Sequence, residues 1–356
     1  MLHFLSGILI FILSSYLSFA NFFADQLTFF LSQTENQNLH TLPSTYAKNS
    51  DPSILRQSVD YQRANVIDIR PSLTTTDPLE ALVNIYCTFI TDRTVRVTTG
   101  TGFFIHSNGA ILTNAHVAQY LLLAKTQALG QAECIIRTGN PAVAKYKADL
   151  LYISPAWIQK NATALGTTNP TGTGERDYAL LYVTDTASNH PLPQIFPALE
   201  IDTELLPRTL KNQPVTALGY PAGNLSKNGG TAFLLPKMAT SSVSELYTFG
   251  SNYADVFSIR GSIIGEQGSS GGPILNKDGQ VIGVIVTRGD DTIDGAGSLR
   301  AITLSHIDRT ITEETGFSLE RNLGGDLAFR ADIFAKTLTP FLIQILTREI
   351  PQTTTN

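Results

Sequence analysis

The sequence predicts an all-β domain, a barrel or sandwich, followed by a helical tail. From Leu79 onward, short apolar runs rich in Val, Ile, Phe and Tyr alternate with Gly, Asn, Asp and Pro, the spacing of many short strands joined by turns. The runs do not alternate with helical segments, as a parallel βαβ sheet would require. Only beyond residue 304 does the pattern turn helical.

The chain opens with MLHFLSGILIFILSSYLSFANFF, and residues 4–24 include no charged side chain. Ser18-Phe19-Ala20 places small residues where a signal peptidase reads, so residues 1–20 form a signal peptide cleaved after Ala20. The start of this segment lacks Lys and Arg, and the uncharged run is just long enough to span a bilayer. An uncleaved membrane anchor is therefore the second reading and a buried core helix the third. The first two export the chain to a periplasmic, secreted or cell-surface location. Residues 21–80 are rich in Ser, Thr, Asn and Gln (QTENQNLHTLPSTYAKNSDPS) and read as a pro-segment or linker with one short helix.

The strand-like runs are ALVNIYCTFI, RVTTGTGFFI, AILTN, ECIIRT, ADLLYI, YALLYV, VTALGY, DVFSI and VIGVIV. A hydrophobic content of 42% is enough for a substantial core, and the net charge of −5 is spread along the chain with no basic block. Nucleic acid is excluded as a partner, because nothing would neutralise its phosphates. Cys87 (VNIYCTFI) and Cys134 (AECIIRTG) both lie in strand-like surroundings. In an exported chain they would pair, stabilising the fold by roughly 4 kcal/mol in the chain-entropy view. Two buried free thiols are the alternative. No base stands near either cysteine and no CxxC spacing exists, so neither is read as catalytic or metal-binding. In the tail, LSHIDRTITEETGFSLER (304–321) reads as a helix capped by Ser305. DIFAKTLTPFLIQILTREI (332–350) reads as a C-terminal helix broken by Pro340 and packed on the barrels, with membrane or partner contact as its alternative.

Three short stretches carry chemistry. ILTNAHVAQ (111–119) places His116 after a strand-like run, and GERDYALLYV (174–183) places Asp177 where a polar loop meets one. GEQGSSGGPIL (265–275) crowds glycines around Ser270. Each is ordinary alone: a core histidine, a turn aspartate, a glycine turn. Together, in this order and separated by 61 and 93 residues (177 − 116 and 270 − 177), they supply what acyl transfer by serine needs. A base takes the hydroxyl proton, a carboxylate orients that base, and backbone donors await the oxyanion.

TNAHV, DYALL and GSSGGP resemble the signature segments of the trypsin-like, chymotrypsin-fold serine peptidases, above all the exported bacterial branch that includes the HtrA and Deg proteases. VNIYC, GTGFFI, ALGYP and GGPILNKDGQVIGV fit the same branch. The resemblance spans about residues 81–305. It implies two packed six-stranded β-barrels, at about 81–200 and 210–305, with residues 306–356 as the helical tail. It also implies His116, Asp177 and Ser270 as the catalytic triad. The oxyanion hole falls to the Gly268-Ser269-Ser270 backbone, with Gly268 and Ser270 as the donors. Ile264 would lie at the base of the S1 pocket, Ile285 and Val286 on its wall, and Thr287 and Arg288 at its mouth. Ile264 is not the carboxylate that a trypsin-like pocket needs, so small or medium apolar side chains are expected at the cut. Arg288 offers the alternative of an acidic side chain, although the pocket histidine of glutamyl endopeptidases is missing.

Two departures from the family matter. Ser269 stands where digestive and clotting relatives carry an Asp that pairs with a newly cut N-terminus, so Ser270 is expected to become reactive without such a cut. The 51 residues of 306–356 are too few for a PDZ domain, which favours a monomer or small homo-oligomer. GDDTIDGAG (289–297) lacks the late bidentate Glu of a calcium loop and reads as a solvated turn. No HExxH, GxxxxGK[ST] or strand-linked GxGxxG occurs, so no metal or cofactor is expected. The expectation is an exported serine endopeptidase acting on proteins or peptides. Its rivals are a catalytically silent binding module using the inter-barrel cleft, and an esterase or acyltransferase on the same site.

Overall fold

The computed structural model describes residues 40–41, 72–91, 95–126, 130–163, 174–188, 190–223, 233–261, 263–295 and 297–349. The N-terminal apolar run and most of the pro-segment lie outside the described residues. After the two-residue strand β1 (His40–Thr41), the first barrel is formed by β2 (Leu82–Ile90), β3 (Val95–His106), β4 (Ala110–Thr113), β5 (Gln131–Thr138), β6 (Val143–Ile153) and β7 (Ala179–Thr186). The ring runs β2-β3-β4-β7-β6-β5, closed by pairing of β5 with β2. Register shifts in the β3–β4 and β6–β7 pairs are β-bulges that bend strands enough to close a barrel. Helix α1 (Ala115–Leu123) follows β4, and α2 (Pro155–Asn161) follows β6.

The second barrel is formed by β8 (Pro214–Gly219), β9 (Lys237–Thr248), β10 (Val256–Ile259), β11 (Pro273–Leu275), β12 (Val281–Arg288) and β13 (Leu299–Thr303). Its ring runs β9-β10-β13-β12-β11-β8 and closes through β8–β9, while β1 lies parallel along β9. All strand pairs within the two rings are antiparallel. These are the two six-stranded barrels expected from the sequence.

Helices α3 (Leu304–Thr315), α4 (Leu319–Asn322) and α5 (Leu327–Glu349) complete the chain. The cap of α3 is Thr303, not Ser305: the Thr303 hydroxyl accepts the His306 N–H, and the Ser305 hydroxyl bonds to Thr303. The helix stops at Gly316, whose left-handed φ of 80° ends it, and Ser318 caps the separate α4. The expected break at Pro340 does not occur, because α5 runs through it. Phe334, Leu338, Leu342 and Leu346, spaced by one turn, are wholly buried in the core of barrel one with α1 and α2. Each contributes about 1.5–3 kcal/mol, together more than the roughly 3 kcal/mol that an interior proline costs. Pro340 itself faces solvent, where water can satisfy the freed carbonyl.

Cys87 and Cys134 are register partners on β2 and β5, 4.1 Å apart at Cα, and form the disulfide. Replacing both by alanine is expected to lower the unfolding free energy by about 2–4 kcal/mol, measured by denaturant titration. An unchanged midpoint would contradict a structural role for the bond.

Candidate active site

β4 delivers the chain to Asn114, the extended N-cap residue of α1, so His116 lies in the first helical turn. Amide N–H groups in a first turn lack helical acceptors. Here Asp177 supplies one: its Oδ1 accepts the His116 backbone N–H at 2.9 Å, while Oδ2 lies 2.7 Å from His116 Nδ1. A carboxylate at that distance fixes the hydrogen on Nδ1 and leaves Nε2 as the acceptor. The Asn114 side chain donates to the Asp177 carbonyl at 2.9 Å, tying down the same loop. Burial would push the His116 pKa down, but the Asp177 charge and hydrogen bond outweigh it and raise the pKa above the ordinary 6.5.

Ser270 is placed from across the barrel seam. Thr101 on β3 is wholly buried. Its N–H donates to the Ser270 carbonyl at 2.8 Å, and its hydroxyl donates to the Gly268 carbonyl at 2.6 Å. The same hydroxyl accepts the Tyr220 N–H at 2.9 Å, and the Thr101 carbonyl accepts the Thr113 hydroxyl at 2.7 Å. From barrel two, Ile285 clasps the chain just after the serine: its carbonyl accepts the Gly271 N–H at 2.8 Å and its N–H donates to the Gly272 carbonyl at 2.9 Å.

Two further bonds set the direction of the peptide planes. The Gln267 carbonyl accepts from Ala222 N–H at 2.6 Å, and the Ser269 carbonyl accepts from Gly272 N–H at 3.0 Å. In a trans peptide the C=O and the following N–H point oppositely, so the N–H groups of Gly268 and Ser270 turn away from these anchors. Neither N–H has a protein acceptor among the described residues. Of the expected Gly268-Ser269-Ser270 backbone, the Ser269 N–H instead turns into the loop, to the Glu266 carbonyl at 3.3 Å, which leaves Gly268 and Ser270 as the candidate donors. Gly268 has a φ of +97°, and a Cβ there would stand 2.6 Å from the Tyr220 carbonyl. Gly271 has a φ of +88°, and a Cβ would come within 1.9 Å of the Thr101 carbonyl. No other residue type fits either place.

The family described as the trypsin-like peptidase domain matches residues 100–284, over half of the chain and including all three motif segments. The chain belongs to the trypsin-like peptidase family. No curated protein matches it. Among solved structures, the active form of the Rv3671c protease from M. tuberculosis is 20% identical with a TM-score of 0.41, the match covering 78% of this chain and 96% of that one. A Glu endopeptidase in complex with MPD is 16% identical with a TM-score of 0.42, covering 69% of this chain and 95% of that one.

Within this peptidase domain, the residues expected around the S1 pocket separate. Ile264 and Ile285 are buried to 1% exposure or less in the apolar core of barrel two, so their side chains pack the barrel. Val286 is buried with the inter-barrel core, Thr287 is half-buried and Arg288 is exposed. The Ser269 hydroxyl is buried without a hydrogen-bond partner among the described residues. A second Asp–His pair, Asp255 and His306, is held in the opposite sense. Burial drives the His306 pKa down, and hydrogen bonding to His306 helps lower Asp255 to about 2.

Thr101, Tyr220 and Ala222 escape sequence reasoning, because nothing local marks a residue whose partners lie across the barrel seam. Asn114 carries a local signal, an N-cap residue directly before the helix. Asp177→Asn is expected to drop the His116 pKa below its native value, because the charge that raises it disappears while the burial that lowers it remains. Titration of the His116 ring by NMR measures this, and an unchanged pKa would contradict the pairing.

Proposed function

We propose that the protein is an exported serine endopeptidase with His116, Asp177 and Ser270 as its triad and the Gly268 and Ser270 N–H groups as its oxyanion hole. The observation that carries this reading is the double hold of Asp177 on His116, at backbone N and at Nδ1. It fixes the tautomer in which Nε2 can take a proton. His116 Nε2 removes the Ser270 proton as Oγ attacks the substrate carbonyl carbon. The two N–H groups stabilise the oxyanion, and Asp177 stabilises the imidazolium. The imidazolium then returns the proton to the leaving amine. A water molecule repeats the cycle on the acyl-enzyme and releases the acid.

Ser269 carries no charge that a new N-terminus would neutralise, which supports activity without an activating cut. The disulfide favours an oxidising compartment. Among the described residues no helix is long and apolar enough to cross a membrane; residues 1–20, if uncleaved, are the proposed tether. Substrates are proteins or peptides. Small or medium apolar side chains at the cut are favoured, since neither Val286 nor Thr287, two expected pocket residues that do not pack the barrel-two core, carries a charge. The exposed Arg288 makes an acidic side chain the competing choice.

The test is labelling of protein from residue 21 onward with a fluorophosphonate, beside its Ser270→Ala and Gly268→Ala variants. The native protein should label and Ser270→Ala should not; Gly268→Ala, whose Cβ would collide with the Tyr220 carbonyl and push the Gly268 N–H out of place, should label roughly 100-fold more slowly, the scale of a lost oxyanion contact. The labelling rate should rise with pH about a midpoint above 6.5, because only neutral His116 accepts the proton. Equal labelling of native and Ser270→Ala protein, or none of either, would overturn the assignment and return the binding module to first place. Ester turnover without peptide cleavage would leave the esterase.

A further inference from the structure

We propose that helix α3 is a positioning element for Asp177: Glu314 through Arg176, and Thr310 through Tyr178, hold the two residues that flank the carboxylate. The proposal rests on the reading of Asp177 as the group that orients His116.

Arg176 is one of two non-glycine residues with positive φ among the described residues, at 58°. An L-residue keeps that conformation only where its surroundings impose it. The surroundings here are the last turns of α3. Arg176 Nη1 lies 2.6 Å from Glu314 Oε1, and Nη2 lies 2.8 Å from Glu313 Oε2. Glu314 is itself almost wholly buried. Besides Arg176 it accepts the Ser154 hydroxyl at 2.9 Å and the Tyr152 hydroxyl. On the other side of Asp177, the wholly buried Tyr178 shares a hydrogen bond of 2.9 Å with the Thr310 hydroxyl, which donates onward to the His306 carbonyl at 2.8 Å. Burial and the Glu314 charge raise both the Tyr152 and the Tyr178 pKa, so both phenols stay protonated and remain donors at any working pH. Glu313 and His306 are the other titratable groups beside Arg176.

The placement of this cluster gives it a purpose. A buried ion pair does little for net stability, since desolvation offsets attraction, but it tolerates only one geometry. This one joins the two barrels. Helix α3 continues directly from β13 of barrel two, whereas Asp177 and His116 both belong to barrel one. Any movement of one barrel over the other therefore pulls on Arg176 and Tyr178, and through them on the carboxylate between. Nothing in the cluster touches the reacting atoms, so its members are positioning residues.

Glu314→Gln and Tyr178→Phe test the proposal in the full exported chain, with native protein and Asp177→Asn as references. Three quantities are measured: the melting temperature, the fluorophosphonate labelling rate and the His116 pKa by NMR. Glu314→Gln should still melt cooperatively, label at least tenfold more slowly, and show a His116 pKa shifted down toward that of Asp177→Asn. Tyr178→Phe should shift in the same directions by less. A purely structural cluster would lower the melting temperature but leave the labelling rate and the His116 pKa unchanged below the melt, and that result would overturn the proposal. If Glu314→Gln does not fold, the double variant Arg176→Gln with Glu314→Gln removes both charges and is judged by the same readouts. Native labelling rates in Glu314→Gln beside slowed labelling in Asp177→Asn would sink the positioning role alone. Native rates in Asp177→Asn would sink the reading of Asp177 itself.

Discussion

Thr101 is wholly buried and directs its backbone and side-chain hydrogen bonds at the seam between the barrels. Its N–H and hydroxyl hold the carbonyls of Ser270 and Gly268, its hydroxyl also accepts Tyr220, and its carbonyl accepts Thr113. Thr113 stands three residues before His116, so one strand residue ties the start of the histidine helix to the serine loop. The order of magnitude is telling. An intramolecular hydrogen bond contributes only about 1 kcal/mol net, but a buried partner left unsatisfied costs about 1–3 kcal/mol. Four such bonds on one side chain and its peptide groups leave the loop few alternatives of similar energy.

The two peptide planes that carry the proposed oxyanion donors obey the same logic. Their carbonyls are anchored to Ala222 and Gly272, and the N–H groups are aimed by planarity alone. The glycines follow from this geometry, since at 268 and 271 a side chain would collide with backbone carbonyls. Anchoring carbonyls is an economical way to present donors, because the site needs no movement when charge develops. The carboxylate side is built differently, with Asp177 flanked by residues that reach a barrel-two helix. Nucleophile loop and carboxylate loop are thus each fastened to the opposite barrel.

Much of this was legible in the sequence, and the limits have physical reasons. The nine apolar runs coincide with β2 to β8, β10 and β12, because strands buried on one or both faces show as apolar text. Strand β9 (KMATSSVSELYT) is largely polar and only partly buried, so it has no such text; β11 has only three residues, and Arg300 interrupts the apolar text of β13. Helix α1 hides because almost all its residues are buried, which erases the helical period. Pro340 misleads because a local rule ignores four leucine and phenylalanine side chains buried one turn apart. The proposed triad positions were legible because the glycine-rich stretch and the strand edges that mark them are local. Thr101 was not, since its partner Gly268 lies 167 residues away. Arg176 likewise reads as an ordinary charged turn residue until Glu314 is seen beside it.

The measurement that bears most directly on this account is the fluorophosphonate labelling rate of Thr101→Val against native protein and Thr101→Ser, each checked for a cooperative melt. Valine keeps the shape and removes the hydroxyl that holds Gly268 and Tyr220, whereas serine restores it. The account predicts that Thr101→Val folds with reduced stability and labels at least tenfold more slowly, while Thr101→Ser labels near the native rate. Folded Thr101→Val that labels as fast as native protein would contradict it.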